Sequence, residues 1–350
     1  MNNFKYWFLF ILFVAACGGG GDSGAAQPPG VRAKPSGLMT PIAGFSTDKL
    51  RASSQTAAAG CSDLATSTFC AAFRISCVAT HMGYDDPIVN QTPGTQNLSH
   101  LHVFTGVIDT NYNTDITIFP QTTGGNTGCD GGTLNRTRYW TPAIINTRTG
   151  VTVTPTDWQI YYKNDDLPPN SLNLIPQDLR MIGGNSTQTT PGFNWFNCIG
   201  GPRDGANYPS ITAGALDCGA GNTLSFGMIF GQCLSTTLGV PDVDSANHQS
   251  HTAAPVSSAC PGTHTYGIPS LSYQIRYLLT SESKYWRLAS DSYTGPAGYS
   301  QHGDFRFGWV YNIHKRWFFG CLKRGLDCHT SLINDRDENN NPTTKDELFQ

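Results

Sequence analysis

The sequence predicts a mainly β, disulfide-bonded single domain: a β-sandwich or jelly-roll-like core with an amphipathic helix near its C-terminal end. Three observations predict it. Short segments rich in β-branched and aromatic residues recur between clusters of Gly, Pro, Asn and Asp, in a chain with 38 glycines and 21 prolines. Of eleven cysteines, ten remain once Cys17, which ends a leader-like N-terminus, is set aside, and an even set in an exported chain reads as five disulfides. One stretch alone, residues 307–325, carries apolar residues near helical period.

The chain opens with a secretory leader over 1–16: Lys5, an apolar run from Tyr6 to Val14, then Ala15 and Ala16 before Cys17. The run is too short to span a bilayer. Its end resembles the bacterial lipobox, with Val14 where leucine is commoner. That resemblance implies a lipoprotein whose Cys17 is diacylated and becomes the first mature residue, and Gly18 rather than aspartate after it implies the outer membrane, facing periplasm or cell surface. Residues 17–60, including "GGGGDSGAAQPPGVRAKPSG", read as a flexible tether. The domain is expected over 61–332, and the polar end over 333–350 as a disordered tail whose internal "KDEL" carries no retention meaning. With 13% charged residues and a net charge of −3, the chain offers no basic surface for nucleic acid.

Strands are expected at "AFRISCVA", "HLHVFTGVI", "TDITIFP" (114–120), "YWTPAII", "WQIYYK", "LRMIGG", "LSFGMIF" and "PSLSYQIRYLL". The helix of 307–325 presents Val310, Ile313, Trp317 and Leu322 on one side and stops at Gly325. No cysteine pair has C-x-x-C spacing, so disulfides are preferred to structural zinc. Cys198–Cys218, Cys233–Cys260 and Cys321–Cys328 each close a local loop; Cys61, Cys70, Cys77 and Cys129 share the remaining bridges.

The candidate chemistry lies in histidines and acids. In "NLSHLHVFTG" a strand would turn His100 and His102 to one face and Leu101 and Val103 to the other. "DVDSANHQSH" holds Asp242, Asp244, His248 and His251; "SQHGDF" holds His302 and Asp304; "GYDDPIV" holds Asp85 and Asp86, the latter biased to extended backbone by Pro87. His100, His102, His248, His251, His302 and Asp304 are expected to converge on one cleft.

The ordered motifs "DPIV", "SHLH", "YWTPAI", "IYYK", "LRMIGGN", "DVDSANHQSH", "CPGTHTYG" and "HGDFRFGW", spread over residues 73–329, resemble those of a secreted domain family common in fungi, found also in bacteria, and labelled as of unknown function. Its members' association with cellulose-binding and WSC modules implies work on polysaccharide walls. This chain departs from the family pattern at "CLSTTLG", at Asn247 and at Thr265-Tyr266.

Three function classes are open. A glycan lyase or hydrolase would use His100, His102, His248, His251, His302, Asp304 and Asp86 as acids and bases, with Asp86 and Asp304 the carboxylate pair. Trp140, Tyr139, Tyr161 and Tyr162 would face sugars, and Lys163 and Arg180 would pair with a uronate. A metal-binding protein or metalloenzyme would use His100, His102, His248 and His251 to hold a divalent metal. A non-catalytic polysaccharide-binding or wall-associated protein would need the histidines only as a buried hydrogen-bond network.

Overall fold

The computed structural model describes residues 60–89, 99–108, 110–111, 113–114, 127–131, 134–190, 195–292 and 295–329. The leader, Cys17, nearly all of the tether, the expected strand at 115–120 and the tail lie outside them.

The domain begins with β1 (Ala72–Cys77), β2 (His81–Gly83), β3 (His102–Gly106) and β4 (Arg138–Pro142). β5 (Ile144–Asn146), β6 (Val151–Val153) and β7 (Asp157–Lys163) follow, then β8 (Arg180–Gly184), β9 (Trp195–Ile199) and β10 (Asn207–Tyr208). Helix α1 (Ile211–Cys218) leads into β11 (Thr223–Ile229). Short ribbons come next: β12 (Cys233–Leu234), β13 (Thr236–Thr237), β14 (Val240–Pro241), β15 (Thr252–Ala253) and β16 (Tyr266–Gly267). The chain then runs through β17 (Ser270–Leu278), β18 (Trp286–Leu288), β19 (His302–Arg306), helix α2 (Tyr311–Gly320) and β20 (Asp327–His329).

Two sheets form a sandwich. The larger has seven strands in the order β10-β9-β11-β17-β7-β1-β20, and the smaller has five in the order β2-β3-β4-β19-β8. Strict alternation in "DWQIYYK" buries Trp158, Ile160 and Tyr162 and leaves Asp157, Gln159, Tyr161 and Lys163 on the outer face. From the smaller sheet Val103, Tyr139, Met181 and Phe305 are buried in the same core. The two layers are joined by polar contacts as well: the hydroxyls of Tyr139 and Tyr162 lie 2.7 Å apart, and the Tyr273 hydroxyl donates to the Asp304 carbonyl at 2.7 Å. Gly303 permits this closeness, because a side chain there would run into Met228 and the Tyr273 ring.

The C-terminal helix is shorter than the sequence predicts. Residues 307–310 stay outside it, since the amides of Phe307 and Val310 donate to the carbonyls of Leu179 and Leu134 at 2.8 and 2.9 Å. Helix α2 therefore spans Tyr311–Gly320, a tight turn at Leu322–Arg324 follows, and Gly325 at φ 66° closes it. Its Trp317 stacks on Phe73 of β1 at 4.8 Å, pinning the helix to the end of the core. Truncation of buried Phe73 would cost about 3–5 kcal/mol. Helix α1 was not expected from a run as small and weakly apolar as "ITAGALDC"; its visible signal is Ser210, whose hydroxyl accepts from the Ala213 amide at 3.2 Å.

All ten domain cysteines are bridged: Cys61–Cys70, Cys77–Cys129, Cys198–Cys218, Cys233–Cys260 and Cys321–Cys328. The three local pairs are those expected from sequence. Among the described residues no helix is long and apolar enough to cross a membrane.

Candidate metal centre

The site grows from the face of the five-stranded sheet turned away from the sandwich core. Register sets Asp304 opposite both Trp140 and Ile182, Phe104 opposite Trp140, and His302 opposite Gly184. Period-two alternation in "HGDFR" then sends His302, Asp304 and Arg306 to this face and Gly303 and Phe305 to the core. His102 projects from β3 onto the same face, and His100 stands just before that strand, its ring centroid 4.2 Å from that of His102. Ile88 packs with Phe104, Trp140 and Ile182 in a small apolar cluster beside them.

Histidines 100, 102 and 302 form one group whose ligand atoms all lie within 4.8 Å of one another, and Asp86, His102 and Asp304 form an overlapping one. The Nε2 atoms of His100 and His302 are 3.1 Å apart, and His102 Nε2 is 3.9 Å from Asp304 Oδ2. His102 Nδ1 is 2.9 Å from the Asp85 carbonyl, and His302 Nδ1 is 2.9 Å from the Ser300 carbonyl. A carbonyl can only accept, so each Nδ1 carries a proton and each Nε2 is the ring atom turned to the cluster, where the neutral form offers it as a lone pair.

Ser300 is itself held. Buried Asp291 accepts from the amides of Leu288 and Gly298 at 2.9 and 2.7 Å and from the Ser300 amide and hydroxyl at 3.3 and 2.8 Å. It thereby fixes the carbonyl that orients His302. Sequence reading passed over Asp291; its only sequence signal is an acid in the Ser/Gly-rich stretch "LASDSYTGPAG".

Burial decides the charge state. His102, His302, Asp86 and Asp304 are at most 4% exposed, while His100 is partly exposed. Loss of solvent, reinforced by the neighbouring His102 and His302, holds His100 well below the usual imidazole range. His102 is likewise held far down by burial and by His302, against a smaller opposing effect of the Asp85 carbonyl. Both are neutral at neutral pH, the form that binds a metal and not the form that donates a proton.

The remaining candidates lie elsewhere. His248 is on the outer edge of β8, where its carbonyl accepts from the Ile182 amide at 2.8 Å and its Nδ1 sits 2.6 Å from Asp244. His251 Nδ1 is 2.9 Å from the Ser245 hydroxyl. Neither belongs to a ligand group among the described residues; β8, to which His248 bonds through Ile182, lies between that loop and the β19 strand that carries His302. Arg180 is engaged by Asp178 at 2.6 Å and Asp244 at 3.2 Å, and Asp178 also accepts from buried Arg306 at 2.6 Å.

The aromatic expectations need correction. Trp140, Tyr139 and Tyr162 are 0% exposed and cannot face a sugar, because both faces of β4 and the inner face of β7 are covered. Tyr161 and Lys163 are on the open face of the larger sheet, as their alternation with Tyr162 requires. Asp86 and Asp304 are too close and too deeply buried to flank a glycosidic bond, which needs carboxyl groups about 5–9.5 Å apart with a sugar between them.

Comparison with known proteins returns no curated protein and no solved structure that matches the chain. One family, described as "Domain of unknown function (DUF1996)", matches residues 86–309, a span that takes in β3, β4, β8 and β19 and all five residues of the cluster.

Proposed function

The chain belongs to the DUF1996 family, whose description assigns no function, and from its own residues we propose that it is a metal-binding protein holding a divalent transition metal through His100, His102, His302, Asp86 and Asp304. The observation that carries this is the pair of Nε2 lone pairs on His102 and His302, each aimed by a backbone carbonyl on Nδ1, in a buried group with two carboxylates. Two donors about 2.0–2.1 Å from one ion at tetrahedral angles would be about 3.3 Å apart, and His100 Nε2 and His302 Nε2 are 3.1 Å apart. Imidazoles with carboxylates suit zinc, iron or manganese better than calcium or magnesium. A dication also offsets the charge of two carboxylates held away from water.

Ligation is favoured over the acid–base reading because proton transfer needs a histidine that titrates near neutrality beside an open cleft. Burial opposes both. The metal binder is further proposed to be an exported lipoprotein anchored through Cys17 at the outer membrane, on the strength of the Ala15-Ala16-Cys17 leader end.

Metal analysis of the full-length protein purified without chelator or affinity metal tests the centre. Stoichiometric zinc, iron or manganese is expected, with a melting temperature that falls on chelation and recovers on adding the same metal. His102→Ala and Asp304→Asn should each abolish retention. Metal-free wild-type protein that takes up none of the three ions, or a His102→Ala variant that binds as wild type does, would end the proposal.

A further inference from the structure

The outer face of the seven-stranded sheet lies on the opposite layer from the His/Asp cluster, and nothing in the proposal above depends on it. One row across this face reads Trp195, Gly227, Gln274, Gln159 on β9, β11, β17 and β7; the adjoining rows bring Arg276 beside Asp157 and Arg74 beside Tyr161. Trp195 is partly exposed and its indole lies flat across Gly227, where any side chain would run into the ring. Only a glycine at 227 lets an aromatic plane rest on the sheet there.

Tyr161 is also partly exposed. Its hydroxyl bonds Gln159 Oε1 at 2.7 Å and Gln274 Oε1 at 3.3 Å, and the guanidinium of Arg74 stands 5.8 Å from its ring centre. Arg276 donates to Asp157 at 2.6 Å and to Gln159 at 3.3 Å. These side chains are thus tied into position on rigid strands rather than loose in solvent, which lowers the ordering cost of binding.

We propose that this face is a binding surface for an extended, uncharged polysaccharide, with Trp195 and Tyr161 as ring platforms and Gln159, Gln274, Arg276 and Arg74 as hydrogen-bonding groups to sugar hydroxyls. A pyranose has an apolar C–H face and a polar rim, and flat aromatics interleaved with amides and a guanidinium match both. The Trp195 ring rests over β11 and Tyr161 stands on β7, two strand spacings or about 10 Å apart across the sheet, so a chain of linked sugars can span both platforms. Charge selects the neutral ligand. Arg74 is paired with Asp327 at 2.9 Å, Arg276 with Asp157 at 2.6 Å and Lys163 with Asp165 at 3.1 Å, leaving no excess of cations for a polyanion.

Affinity electrophoresis and calorimetry of the full-length protein against soluble barley β-glucan, laminarin, xylan and glycol chitin test the proposal, with heparin and hyaluronan as polyanions. At least one neutral polymer should retard the protein, with an affinity that changes little between low and high salt. Trp195→Ala and Tyr161→Ala should each weaken it about tenfold or more, whereas Trp195→Phe, which keeps a ring, should lose less. Circular dichroism and an unchanged melting temperature would exclude misfolding of these surface variants. Binding of none of the neutral polymers, binding of the polyanions alone, or retention undiminished in Trp195→Ala would each overturn it. Metal content is read separately and should be the same in all these variants.

Discussion

His314 should make the stability of this domain unusually sensitive to mild acid. Its ring is fully buried on α2, 4.7 Å from the Trp317 ring and 4.8 Å from the Phe307 ring, and neither ring nitrogen has a hydrogen-bond partner. Burial alone pushes its pKa down to about 3. The unfolded chain, with an ordinary histidine near 6.5, takes up the proton first. The neutral-ring stability is therefore fully present above pH about 6.5 and is lost as the pH falls from there toward about 3. Each unit well inside that window removes about 1.4 kcal/mol, so from pH about 7.5 to about 4.5 the loss from this residue is about 2–3 kcal/mol. The perturbation is His314→Leu, which has no titrating group and similar volume and should stay within about 1.5 kcal/mol of wild type at neutral pH. Urea denaturation of both proteins, disulfides intact, at the two pH values gives the difference of differences, and every other titrating group cancels because both proteins carry it. Wild type should lose about 2–3 kcal/mol more than the variant. Equal pH dependence within about 0.5 kcal/mol would refute the reasoning.

Two further outcomes concern covalent chemistry. Cys77–Cys129 joins residues 52 apart, so replacing both with alanine should lower stability by about 4 kcal/mol in denaturant titration, and a loss below about 1 kcal/mol would show that the bridge constrains little. Intact-mass analysis of membrane-extracted protein should find residues 1–16 removed and Cys17 diacylated; a mature chain that keeps residues 1–16 would contradict the lipoprotein assignment.

Local pattern made a good part of the fold legible. "DWQIYYK" and "AFRISC" alternate in sequence and in burial, the three short-loop disulfides follow from proximity along the chain, and His302 and Asp304 share a side because the strand repeat is two. The same rule is silent on what covers each side. Tyr162 and Tyr161 are interchangeable as sequence, yet one is sealed against Tyr139 and the other is partly exposed. Trp140 has a ring suited to a sugar, yet the face of β4 that carries it is closed by Ile88 and Phe104. Trp195 was overlooked since its partner, Gly227, lies on another strand and contributes only the absence of a side chain.

The sequence by itself therefore determined the class of architecture, the oxidised cysteines and the two-residue periodicity that aims His302 with Asp304, whereas His100, which the same periodicity would have put in the strand with His102, stands just ahead of it. Tertiary structure alone decided which of these pairs meet. His302 stands 202 residues from His100 along the chain and reaches it because β4 lies between β3 and β19 in the smaller sheet, whereas His248, nearer in sequence to both, is held at the far edge of β8 by its carbonyl bond to Ile182. Strand order and register arise from packing the two sheets over a common core, a long-range free energy that no local spacing encodes.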